Sequence, residues 1–232
     1  MATILAGVVR TSVGVGSGIA LTATLSLIFA PRLTLAIMAF VQIGLGASAL
    51  MHYWRRWDTR LVTKLLFWVF AGVLVGTWLI SVVPVDWARR LLGFALSTIA
   101  LIEIIRRERP AIHRLSGKLP AAISGFTSGV AGTTANACGA VVAIYLKRHA
   151  MTHEAFLSTL SVVVMAHDVF RLGVFWQFDM LSTQALEIAL LLLPFAFFGG
   201  WIGTKIRASA SERALRNSVF GLVLVIGISL LR

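Results

Sequence analysis

The chain has 232 residues, is 58% hydrophobic and only 13% charged, and has a mean hydropathy of +0.90. That composition excludes both an ordinary soluble domain and a disordered chain, and it places the protein in lipid. At about 20 residues per span the length holds on the order of eight apolar segments, so a single all-α membrane domain, 1–232, accounts for the whole of it.

The formal charge of +12 sits largely in the loops between apolar runs, where the positive-inside rule explains it, and nucleic acid is not expected as a partner. Cys138 stands alone, so no intramolecular disulfide forms. Met1 to Val9 carry no cation, which argues against a cleaved signal peptide.

In chain order the predicted segments are 4–30, 33–52, 62–85, 87–105, 119–147, 152–178, 185–204 and 213–231. The first contains Gly7, Gly14, Gly16 and Gly18, and the fifth contains Gly125, Gly129, Gly132 and Gly139, each mixed with hydroxyl residues. As straight helices both would be about 40 Å long against a hydrocarbon core of about 30 Å, so broken or re-entrant helices are expected there.

A shift of 118 residues lays Gly7 on Gly125 and Gly14 on Gly132, and with small insertions Ala88, Arg90 and Phe94 fall on Ala214, Arg216 and Phe220. The chain therefore reads as two repeats, 1–110 and 119–232. Eight plain crossings would divide the loop cations evenly between the two sides. If segments 1 and 5 instead enter and leave on one side, only Arg32, Arg89, Arg90 and Arg232 lie outside and fifteen Lys and Arg lie inside. This arrangement obeys the positive-inside rule and makes the halves inverted-topology repeats, each with one broken helix and three spanning helices, both termini outside.

Helix breaks within the membrane free backbone N–H groups, and the N-terminus of the half-helix that follows carries partial positive charge. Glycine lets an oxyanion approach those groups, and neutral side-chain donors allow reversible binding. The expected substrate-binding set is Ser12, Gly14, Gly16, Ser17 and Gly18 from the first half, with Gly132, Thr133, Thr134, Asn136 and Gly139 from the second. The competing explanation is that these small residues serve close helix packing.

Segment 6 places His167, Asp168 and Arg171 near the middle of an apolar run. Spacings of three and four let them share one helix face. Either Asp168 and Arg171 form a structural pair, or Arg171 joins the substrate-binding set while His167 and Asp168 are candidates for coupling to protons. Arg10 is expected to snorkel toward the aqueous edge. His149 and His153 have the spacing of a helical metal pair without a third ligand, so no metal is expected. Trp54, Trp57, Trp87 and Trp201 read as interfacial anchors. No Walker loop, nucleophile elbow or cofactor fingerprint is present, so neither a pump nor an enzyme nor a bound cofactor is expected.

The run from Ser124 through Thr134, followed by Gly139 and Ile144-Tyr145-Leu146, resembles the second-half signature of the sulfite exporter TauE/SafE family. Its first-half counterpart is Gly7 through Gly18. Where members often carry Gly-Gly-Pro-Pro, this chain has Ala137-Cys138-Gly139-Ala140. The resemblance implies a multi-pass permease of the bacterial inner membrane, with sulfite, organosulfonates or other small sulfur-containing or carboxylate anions as substrates. Its expected partners are the small anion and the lipid bilayer, and a homo-oligomer is compatible with the sequence. An intramembrane enzyme using His167 and Asp168, a non-transporting assembly subunit and a cation permease are the alternatives.

Overall fold

The computed structural model describes residues 17–52, 55–108, 120–206 and 212–231. Among these it is all-helical: α1 (Ser17–Leu25), α2 (Pro31–His52), α3 (Thr59–Val82), α4 (Val85–Glu108), α5 (Ala121–Ala135), α6 (Cys138–Leu146), α7 (His153–Gln177), α8 (Thr183–Ile206) and α9 (Glu212–Ser229).

Local chemistry sets several of these ends. Pro31 opens α2, where its missing N–H costs nothing. Asp58 caps α3 by accepting from the Leu61 amide at 3.0 Å, Thr152 caps α7 through the Ala155 amide at 3.2 Å, and Ser182 receives the Ala185 amide at 3.1 Å; each satisfies an otherwise orphaned donor.

The fifth predicted segment is broken, as its glycine content and length led one to expect. α5 stops at Asn136, whose backbone is left-handed at φ 53° and whose N–H returns to Ala131 and Gly132 carbonyls; α6 starts two residues later. Asparagine is one of the few non-glycine residues that tolerates this conformation. Of the first segment only α1 lies within the described residues.

α1 and α6 are each followed by three long helices, whose packing is similar in the two halves. α2 packs on α7 with Leu35 and Ala39 near Phe175 and Gly46 near Met165, so these two run antiparallel. α4 and α9 are also antiparallel: Gly93 approaches Leu230, and Ser97 meets Gly227. By contrast α3 runs parallel to α7, with Leu61 and Val62 near Leu160 and Phe70 stacked on Phe170 at 4.3 Å. α8 runs parallel to α2 in the same way, Ala185 near Ala36 and Leu193 on Gly44.

Two contacts fix which ends of the helices coincide. Arg56, after α2, pairs with Glu154 at the start of α7, and the Asp58 amide donates to Thr159 Oγ1 at 3.0 Å. At the opposite end Arg32 donates from Nη2 to the carbonyls of Ser81 and Val83 at 2.8 and 3.0 Å, and from Nε to Ile80.

The exterior is apolar. Phe67, Phe94, Leu191, Trp176 and Val225 all face outward, while the largest fully buried side chain is Arg171. Outward hydrophobics around a buried cation reverse the soluble pattern and suit a lipid surround. α3 and α7, at 24 and 25 residues, are each long and apolar enough to span a bilayer.

Candidate functional site

α5 reaches its break by lying directly against α3. Gly129 faces Gly72 backbone to backbone, Gly125 meets Leu65 and Trp68, and Gly76 meets Thr133. No Cβ fits between the helices at Gly72 or Gly129, so these two glycines serve close packing.

Beyond that zipper the polar side chains converge. Arg171, on α7 and wholly buried, donates from Nη1 to the Gly132 carbonyl at 3.0 Å and to Asn136 Oδ1 at 2.6 Å. A cation at the C-terminal end of α5 is stabilised by the helix dipole as well as by these acceptors. Its Nη2 lies 3.3 Å from Asp168 Oδ1, and the same oxygen lies 3.0 Å from His167 Nδ1. Asn136 passes the chain on, donating from Nδ2 to Thr22 Oγ1 at 2.7 Å, and Thr22 in turn donates to the Gly18 carbonyl at 2.7 Å. One network thus runs from α1 through the α5–α6 break to the middle of α7.

The sequence-predicted residues divide into groups. Gly132, Asn136, His167, Asp168 and Arg171 come together, and Gly18 abuts Asn136 and Gln42. Ser12, Gly14 and Gly16 lie outside the described residues, as do Arg10 and the side chain of Ser17. Thr133 and Thr134 do not offer hydroxyl hydrogens to the break. They donate instead to the carbonyls of Gly129 and Val130, four residues back, at 2.9 and 2.8 Å, the habit of such residues in apolar helices. Gly139 has room for a Cβ, which would meet only Val164 at 3.5 Å, whereas a Cβ on Gly132 would strike the His167 ring and Cys138. Cys138 is a buried free thiol at the first position of α6.

Thr22, within the network, and Gln42, beside Gly18, escaped the sequence reading. Thr22 and Gln42 are buried polar side chains within apolar helices, and polarity at that depth was the signal available. Among the described residues no cluster of metal-ligating side chains occurs.

α6 begins without a side-chain cap, so the amides of Cys138 and Gly139 have no partner inside their own helix. The break therefore sets the positive end of α6 beside the guanidinium of Arg171. Such a centre attracts anions, and Asp168 partly offsets it.

A family model described as sulfite exporter TauE/SafE matches residues 1–230. The chain is also similar to a probable inner membrane transporter protein, TsaS, of Comamonas testosteroni, at 25% identity over 175 residues, covering 75% of this chain and 72% of the relative. No solved structure matches. These relationships make the protein a membrane transporter and not an enzyme, and they agree with a multi-pass, inner-membrane location. With glycine-rich helices packed around a broken one and a match over almost the full length, the chain belongs to the sulfite exporter TauE/SafE family.

Proposed function

We propose that the protein exports small sulfur-containing or carboxylate anions, such as sulfite or organosulfonates, through a midplane site at two glycine-rich helix breaks. The observation that carries this reading is a wholly buried guanidinium, Arg171, set at a helix break whose second half-helix starts uncapped. Arg171 Nε and Nη2, with the Cys138 and Gly139 amides, are the donors for the anion, while Gly132 and Asn136 hold the guanidinium in place. Gly18 lies on the first-half side of this site, and Ser12, Gly14, Gly16 and Ser17 are the remaining first-half residues of the proposed substrate-binding set. Thr133 and Thr134 contribute acceptor oxygens and shape.

We infer further that residues 1–110 and 119–232 are inverted repeats. The antiparallel pairing of α2 with α7 and of α4 with α9 supports this, as does the Arg56–Glu154 contact. Arg171 is out of reach of solvent, so this conformation reads as the occluded state of an alternating-access cycle.

With the interior negative, each negative charge gains about 2.3 kcal/mol per 100 mV on leaving, so export of an anion proceeds electrogenically without a coupling ion. Counterflow in proteoliposomes over sulfite, sulfonates, thiosulfate and carboxylates, at clamped potential, tests the reading. Potential-driven flux of at least one of these anions is expected. Inserted protein that moves none of them overturns it, and flux at zero potential that follows a pH gradient and disappears in His167→Ala replaces uncoupled export by proton coupling.

A further inference from the structure

Within the Arg171 centre four buried polar atoms have no hydrogen-bond partner: Arg171 Nε, Asp168 Oδ2, His167 Nε2 and Arg171 Nη2, the last having only its ion-pair contact with Asp168 Oδ1. The three residues are at most 2% exposed. Unpaired buried polar groups are costly and therefore rare, and here they cluster on side chains already in mutual contact.

Their chemistry is mixed. The two guanidinium atoms are N–H donors, and Asp168 Oδ2 is an acceptor. His167 Nδ1 faces a carboxylate oxygen at 3.0 Å, which accepts, so the neutral tautomer that this contact favours holds its hydrogen on Nδ1 and presents Nε2 as an acceptor. An oxyanion with acceptor oxygens alone would satisfy the guanidinium and set lone pairs against His167 and Asp168.

The other donors at the centre belong to α6: the Cys138 thiol, a weak S–H donor, and the Cys138 and Gly139 amides, which the export reading assigns to the charged oxygens of the anion. From α5, the Gly132 carbonyl and Asn136 Oδ1 are acceptors already taken by Arg171 Nη1. From α6, the titratable group facing Asp168 and Arg171 is the Cys138 thiol. α2 and α3 carry no charged side chain over 33–51 and 65–82.

We propose that the transported anion brings a hydrogen-bond donor of its own, an O–H group beside its charged oxygens, received by His167 Nε2 while Arg171 Nε and Nη2 hold the oxygens. The substrate class is then the hydrogen-bearing oxyanion: a hydrogensulfite or a hydroxy-sulfonate rather than an alkyl sulfonate or a fully deprotonated dianion. The proposal rests on the export reading given above and adds to it the role of His167 as the residue that selects.

The test is competition against counterflow of labelled sulfite by the full chain in liposomes at one fixed pH. The probes are 2-hydroxyethanesulfonate and ethanesulfonate, which share charge and head group and differ in one hydroxyl. The hydroxylated anion should compete at about tenfold lower concentration, the scale of one buried hydrogen bond, and His167→Leu should bring the two together. If His167→Leu does not insert, the wild-type comparison alone decides. Equal competition by the two probes, or none by either, with sulfite counterflow intact overturns the inference and leaves anion export standing. Absence of sulfite counterflow removes the export of sulfite and the inference together.

Discussion

Arg171 donates to the side-chain oxygen of Asn136 at 2.6 Å, and together with its bond to the Gly132 carbonyl this ties the middle of α7 to the break between α5 and α6. Asn136 does two jobs there: its backbone supplies the left-handed turn, and its amide links Arg171 to Thr22. The jobs separate by substitution. Asn136→Gly keeps the turn and loses both side-chain bonds, so stability should fall by about 1–3 kcal/mol. Asn136→Ala should fall further, by roughly 1–2 kcal/mol, because alanine resists a positive φ. Unfolding of the purified protein in detergent measures both, and equal stability of the two variants would remove the backbone role.

Arg171→Gln leaves Asp168 buried without its cation, and breaking such a pair costs about 3–5 kcal/mol. Folding and transport should both suffer. Asp168→Asn combined with Arg171→Gln should restore folding, because no lone charge remains, without restoring full flux. Monodispersity in detergent reports the first effect and counterflow the second. A double variant that transports normally at clamped potential makes the pair purely structural.

The two glycines flanking the break should respond differently. At Gly132 even a methyl strikes the His167 ring and Cys138, so Gly132→Ala should cost about 1–3 kcal/mol and disturb transport. Gly139→Ala meets only Val164 at 3.5 Å and should fold normally. Thermal stability of the two variants side by side checks this, and a destabilisation at 139 matching that at 132 counts against the packing argument.

Arg32 holds the C-terminal end of α3 through three carbonyls. Arg32→Ala should lower stability by about 1–3 kcal/mol, and Arg32→Lys should recover little, because an ammonium cannot reproduce a planar fork of donors. Detergent-solubilised unfolding midpoints decide, with full rescue by lysine as the contrary result.

Cysteine labelling in intact cells tests the topology. Single cysteines at Arg55 and Arg207 in a Cys138→Ala background should both react only from the inside, and one at Ser182 only from outside. Arg55 and Arg207 reacting from opposite faces would falsify the inverted arrangement.

Much of this was legible in the sequence because it follows from one-dimensional quantities. Hydropathy located the long helices to within a few residues: segment 152–178 became His153–Gln177, and 185–204 became Thr183–Ile206, the small differences arising from caps that hydropathy does not register. Excess length and glycine content marked the break in 119–147, and ionisable residues in an apolar run marked His167, Asp168 and Arg171, since burying charge is too costly to be incidental. Only the tertiary structure decided what those residues touch. Gly125 and Gly129 look like Gly132 in sequence, yet two face the α3 backbone and one faces the His167 ring. The Thr133 and Thr134 hydroxyls turned back to their own helix, and Thr22, 114 residues away from Asn136, became its partner. Hydrogen bonding and close approach depend on which faces meet and at what height, and helix packing sets both without leaving a periodic mark on the chain.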